Sequence, residues 1–176
     1  MIQIRIATKA DAAAIADLHA RSWRLAYKGM LNDQYLLHEL DTDRLVHWQK
    51  RFSEPESDQY VIIAEDPEQP ASLLGFACAL GRFDAEVGTL VDNLHAHPDF
   101  KKSGVGRLLL SRVAQWSLSR YPDALIHLWV VAQNSAAIGF YKHMGAVEDR
   151  QSTWDAPGGA QLPELRFTWH KPSQLI

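Results

Sequence analysis

The order of signals along this 176-residue chain predicts one α+β, or mixed α/β, domain (residues 1–176) in which a single sheet is covered by helices. Three observations carry that expectation. Short apolar, β-branched runs recur from the first residues to the last. Segments with helical periodicity and their own start and stop residues separate several of them. The stretch from Gly88 to Val131 reads strand, helix, strand, which requires a parallel, right-handed crossover.

Ile2–Ile6 alternates apolar and polar residues and opens the chain as a strand. Thr8, three residues before Asp11, gives a capping-box-like start to an alanine-rich helix over Lys9–His19. A second helical region is expected over Trp23–Leu40, interrupted near Gly29–Asn32. Tyr60–Ala64 and Ser72–Leu80 read as strands, with the acidic, proline-bearing Glu65–Pro70 as their hairpin loop. Gly88–Ala96 is the next strand, and Pro98-Asp99-Phe100 ends it. From Gly104 to Ser119, Val105, Leu109, Val113 and Trp116 recur at three- and four-residue spacing, one apolar helix face. Leu125–Val131 is a short buried strand, and Asn134–Met144 a helix with Gly145 as its C-terminal glycine. Ala146–Arg150 and Leu165–Trp169 close the sheet, the latter as an edge strand able to pair in a homodimer, with Gln151–Leu162 as a loop between them.

Composition narrows the function classes. With 47% hydrophobic and 22% charged residues the chain has the ordinary balance of a globular domain and length enough for a real core. No apolar run approaches the ~20 residues of a membrane span, and the first residues read as a strand rather than a signal peptide, so a cytoplasmic location without membrane association is expected. Cys78 is the only cysteine, which excludes an internal disulfide framework, and it reads as a buried small hydrophobe. The net charge of −3, with basic residues grouped only at Lys101, Lys102 and Arg107, argues against nucleic acid as a partner and suits one phosphate-bearing ligand. His95-x-His97 has neither a nearby cysteine nor an H-E-x-x-H pattern, so no metal is expected.

The informative segment runs from Leu94 to Arg107. A strand ends, the chain turns through small residues, and an amphipathic helix begins at once. The first N–H groups of a helix have no intrahelical partner and lie at the positive end of its dipole. Glycines at 104 and 106 let a phosphate approach that backbone, and the three basic residues add charge; a tight turn that needs glycine only for positive φ is the other reading. Neither a P-loop nor the G-x-G-x-x-G dinucleotide fingerprint is present, since position 109 is Leu.

Here the chain resembles the GNAT N-acetyltransferase superfamily. Lys101-Lys102-Ser103-Gly104-Val105-Gly106 is similar to that family's acetyl-CoA motif, with Lys101 where Gln or Arg is usual. Leu94-His95-Ala96-His97-Pro98 matches its Leu-x-Val-x-Pro lead-in, with Ala96 in place of Val. A second block, Asn134, Ala137, Phe140-Tyr141 and Gly145-Ala146, follows at the family's distance, and Trp23–Gly29 resembles its first helices. The resemblance implies a central, mostly antiparallel twisted sheet. It also implies acetyl-CoA as co-substrate, transfer of its acetyl group to an amine acceptor, and no metal. It implies a cofactor site made by Leu94, His95, Ala96, the turn Lys101, Lys102, Ser103, Gly104, Val105, Gly106 and Arg107, together with Asn134, Ala137, Phe140 and Tyr141.

The same resemblance makes Tyr141 the general acid for the departing thiolate; a core tyrosine is the bland alternative. For the general base the candidate is Asp92, which shares one side of a regular strand with Leu94 and Ala96; Glu86, His95 and His97 are further candidates. Asn134 caps the helix that follows it and, by resemblance, also bonds the pantetheine arm. Trp23 and Tyr27, one helical turn apart, are candidates for the acceptor pocket or for the core. Two other functions stay open: a non-catalytic acetyl-CoA sensor, which needs the glycines but not Tyr141 or Asp92, and a catalyst acting on a peptide or protein amine.

Overall fold

The structure is a computed structural model describing residues 2–100 and 102–176, and side chains for all of these except 69–72. Seven strands form one sheet: β1 (Gln3–Ile6), β2 (Gln59–Asp66), β3 (Gln69–Asp84), β4 (Gly88–Ala96), β5 (Ile126–Val131), β6 (Val147–Asp155) and β7 (Gln161–Trp169). Their spatial order is β1-β2-β3-β4-β5-β7-β6. Every neighbouring pair is antiparallel except β4 and β5. Those two are joined through helix α3 (Val105–Arg120), the expected parallel crossover.

Among the described residues, four α-helices cover the sheet. Helix α1 (Ala12–Ala26) and helix α2 (Leu40–Ser53) pack on one face, where Ile15, Leu18 and Trp48 meet Val61, Ile63, Phe76 and Cys78. On the other face Val105, Leu109 and Val113 of α3 and Tyr141 of helix α4 (Ser135–His143) meet Ile62, Ala77, Leu128 and Phe167. The alternation of Ile62 with Val61 and Ile63 between the two clusters is the period-two rule of a sheet buried on both sides.

Several boundaries differ from the sequence reading. The first helix is entered through a 3₁₀ turn at Lys9–Asp11, where the Asp11 carboxylate accepts the Thr8 N–H at 2.7 Å, and it runs on to Ala26 because its buried stripe continues through Ala20 and Trp23. No helix spans Trp23–Leu40. Gly29 turns the chain at φ +76, a π-helical turn forms at Tyr35–Glu39, and α2 follows without a break. The expected loop Gln151–Leu162 is largely paired strand: β6 and β7 form a hairpin closed at Ala156–Ala160. Leu165–Trp169 is therefore not an edge. It is hydrogen-bonded between β5 and β6, and the sheet's edges are β1 and β6.

Two irregularities shape the centre of the sheet. Strands β4 and β5 pair only at Thr89–Ile126 and Leu90–His127, then part. In β4, a bulge against Cys78 and Ala79 leaves Asp92 without an opposite residue. The bulge interrupts alternation, so Asp92 turns toward Arg51 of α2 while Leu94 and Ala96 pack on the α3 face. Asp92 thus does not share a side with Leu94 and Ala96.

Candidate active site

Where β4 and β5 part, a cavity of about 1100 Å³ opens through the sheet and is lined from both faces. Its α3 side holds the glycine turn. Lys102 and Gly104 adopt positive φ, +66 and +87, and Gly104 caps α3. The first hydrogen bond into the helix runs from Leu108 N–H to Gly104 O at 3.0 Å, so the N–H groups of Val105, Gly106 and Arg107 ahead of it project from the helix end. A Cβ at Gly104 would meet nothing within 4 Å, so the turn requires glycine there for its φ and leaves the space in front of it open. Gly106 lies against Phe140, whose Cζ would be 3.4 Å from an added Cβ. Exposed Lys102 and Arg107 flank the turn on the cavity rim. Ser103 does not line the cavity; its hydroxyl donates to Phe100 O at 2.5 Å. Lys101 lies outside the described residues.

From the turn the cavity follows β4 past Ala96, His95 and Leu94 and is walled opposite by Asn134, Ala137, Phe140 and Tyr141. Beyond Leu90 the backbone groups of β4 that face β5 have no strand partner, which suits an extended chain lying in the split. Asn134 caps α4, its Oδ1 accepting the Ala137 N–H at 3.3 Å.

On the α1–α2 side, Trp23 and Tyr27 reach both the cavity and a buried cluster, their ring centroids 5.3 Å apart and 5.5 and 5.8 Å from Trp154. Arg44, His47 and Arg51, at positions i, i+3 and i+7 of α2, form the wall beside them. Asp92 is 31% exposed and ion-paired to Arg51 at 2.7 Å. Burial, reinforced by Arg44, lowers the pKa of His95 to about 4, and burial with the fields of Arg44 and Arg51 lowers that of His47 to about 4. Both imidazoles are neutral near pH 7. His97 and Glu86 lie outside the cavity, the first beside Asp99 and the second in the β3–β4 turn.

Tyr141, Tyr27 and Glu164 also line the cavity, and Tyr27 is near enough to each of the others to share its field. Burial pushes the Tyr141 hydroxyl well above its ordinary pKa, with a smaller push from Tyr27. Tyr27 is itself pushed up to about 12, by burial first and then by Glu164. Glu164 on β7 has its pKa raised by burial and has no ion-pair or hydrogen-bond partner among the described residues. Sequence reasoning missed Glu164, Arg44, His47 and Arg51. The spacing Leu40, Arg44, Trp48 was available as a signal for α2, whereas Glu164 joins the site only through sheet order. Cys78 is buried, accepts a hydrogen bond from Arg51 at 2.9 Å and is pushed up to about 12, which makes it a poor nucleophile. No group of three His, Cys, Asp or Glu side chains suited to a metal occurs, and no helix is long and apolar enough to cross a membrane, among the described residues.

Residues 13–146 match the model of the acetyltransferase (GNAT) family. A probable N-acetyltransferase of Mycobacterium tuberculosis is 29% identical across 97% of this chain and 94% of its own length. The L-amino acid N-acyltransferase MnaT of Escherichia coli is 29% identical over 85% of this chain and 82% of its own. In fold, the PaiA N-acetyltransferase of Thermoplasma acidophilum, solved with coenzyme A, superposes with a TM-score of 0.66 at 20% identity, covering 93% of this chain and 98% of that one. The sheet parted between β4 and β5, the glycine turn at the head of α3 and the match over most of the chain agree: this protein belongs to the GNAT family and is an acetyl-CoA-dependent N-acetyltransferase.

Proposed function

We propose that the enzyme transfers the acetyl group of acetyl-CoA to the primary amine of a small molecule by direct attack, with both substrates bound together. One observation carries this reading. A single cavity runs from the Gly104 turn through the gap between β4 and β5 and is lined by Tyr141, Tyr27 and Glu164. The pyrophosphate goes to the N–H groups of Val105, Gly106 and Arg107, flanked by Lys102 and Arg107. The pantetheine arm lies along the unpaired edge of β4, and its thioester comes to the gap between the two faces.

Three events then need protein groups. The acceptor ammonium must lose a proton. Glu164, half-buried and unpaired, is the better base, because the Asp92 carboxylate is already engaged by Arg51. The amine lone pair forms the C–N bond, and as the tetrahedral intermediate collapses the C–S bond breaks with its electrons on sulfur. Burial keeps Tyr141 protonated, and its pKa exceeds that of a thiol near ~8.5, so it meets the sulfur as a hydrogen-bond donor. The second proton of the attacking nitrogen leaves to solvent through the cleft as the amide forms, and a proton from the same solvent completes the thiol. Trp23, Tyr27 and Trp154 form the apolar wall against which a small acceptor packs. The lone buried thiol suits a reducing compartment, and we place the enzyme in the cytoplasm.

Thiol release from acetyl-CoA over an amine panel tests this. Tyr141→Phe and Glu164→Gln should each lower kcat by about 100-fold or more with acetyl-CoA affinity kept. Loss of activity in Asp92→Asn with Glu164→Gln unimpaired would return the base to Asp92. Full activity in Tyr141→Phe would remove the tyrosine from the chemistry.

A further inference from the structure

Resting on the acetyltransferase reading, we infer that the acceptor pocket is built around an oxyanion site at Arg44. Its acceptors are then amines that carry a carboxylate, amino acids in chemical class, rather than polyamines. The Arg44 side chain is only 9% exposed yet stands in the cavity wall. A guanidinium buried to that degree loses much of its hydration and needs hydrogen-bonded partners. The protein provides a face of Trp23 at 4.4 Å and one hydrogen bond, from Nη2 to Asp43 at 2.9 Å. Its Nε–H is buried with no partner among the described residues.

Arg44 is not alone. Ser22 on α1, His47 on α2 and Asn93 on β4 also line the cavity, and Ser22 Oγ, His47 Nε2 and Asn93 Oδ1 are buried without a partner among the described residues. Eight such atoms occur among the described residues, and four of them, from three elements, belong to residues around this one cavity, which points to a place completed by a ligand. Their chemistry says which. The Arg44 Nε–H and the Ser22 hydroxyl donate, and His47 donates in one tautomer, which suits carboxylate oxygens. Asn93 Oδ1 accepts, which suits the N–H of an amine.

Charge sharpens the choice. The α2 wall carries Arg44, paired with Asp43, and Arg51, paired with Asp92, and its imidazole, His47, is neutral. Asp92, its nearby carboxylate, is held by Arg51. The opposite wall, on the β6–β7 hairpin, presents Asp155 and Glu164. Guanidinium donors still free at Arg44 on one side and carboxylates on the other match the two ends of a zwitterion. The aromatic surface of Trp23, Tyr27 and Trp154 leaves room for an apolar side chain.

The test compares L-phenylalanine and L-leucine with phenethylamine and isoamylamine, their counterparts without the carboxylate, and with spermidine. Each is assayed by thiol release from acetyl-CoA and titrated calorimetrically into the CoA-bound protein. Wild type should favour the amino acids by about 10- to 100-fold in kcat/KM over their counterparts. Arg44→Gln should erase that ratio, and Arg44→Lys should restore part of it. The wild-type comparison stands even if a variant fails to fold, and acetyl-CoA affinity checks the variants that do. A preference for spermidine, no binding of either amino acid, or an unchanged ratio in folded Arg44→Gln overturns this inference alone. Failure of wild type to bind acetyl-CoA overturns the functional reading beneath it.

Discussion

Gly75 on β3 tests whether packing of α3 against the sheet positions the cofactor turn. A Cβ built there would stand 2.6 Å from Val105 Cγ1, 2.7 Å from His95 O and 3.0 Å from Leu109 Cδ1. Apolar carbons sit at about 3.5–4.0 Å, so Val105 must retreat by roughly 1 Å. The His95 carbonyl belongs to the backbone of β4 and yields little. Val105 is the first residue of α3, between the two glycines of the turn, so the displacement falls on the N–H groups assigned to the pyrophosphate. Gly75→Ala should cost about 1–3 kcal/mol in urea unfolding as an overpacked core site. It should also weaken acetyl-CoA binding by about 10-fold or more, since a ~1 Å displacement at a positioning element has effects of that order. Gly145 gives the control. It has φ +87 and open space around its Cβ, so Gly145→Ala should lose roughly 1–2 kcal/mol from backbone conformation alone and keep its affinity. Wild-type stability and affinity in Gly75→Ala, or equal loss of affinity in Gly145→Ala, would refute the reasoning.

Three further outcomes are expected. Asn134→Ala removes the cap of α4 and should cost about 0.5–2 kcal/mol by urea denaturation. Trp48→Ala empties a fully buried site and orphans His19 Nδ1, which accepts the indole N–H at 3.0 Å; a loss of about 3–5 kcal/mol is expected from the urea midpoint. His47 and His95, with pKa lowered to about 4, stay neutral in the fold while the unfolded chain takes up their protons near pH 6.5. Their contribution is therefore full above pH 6.5 and is lost as pH falls toward 4. Urea midpoints between pH 7 and pH 4.5 should decline, and less steeply in His47→Gln; parallel profiles would remove His47 from that effect.

What was legible in the sequence was what local rules encode. Strand β4, the start of α3 and the cap of α4 were readable because glycine at 104, Asn134 and the Val105–Leu109–Val113 stripe each act within a few residues. Helix α2 escaped because its buried stripe runs Leu40, Arg44, Trp48 and puts an arginine where an apolar residue is expected. Strand β6 read short because nearly all its residues are exposed, so no apolar alternation reports it. The bulge at Asp92 left no mark in the residue pattern, and it reversed the side to which that carboxylate points. Glu164 and Tyr141 lie on opposite sides of the sheet, and only the parting of β4 from β5 brings them to one cavity.

The central claim is that acetyl-CoA binds with its pyrophosphate on the turn at the head of α3, and calorimetric titration of acetyl-CoA tests it most directly. Wild type should bind one equivalent with micromolar affinity. A Gly104→Glu, Gly106→Glu double variant, shown to be folded by circular dichroism, should show no binding, because two carboxylates would occupy the place of the anion. Equal affinity in the two proteins would contradict the account and leave Gly104 as the residue of a tight turn alone.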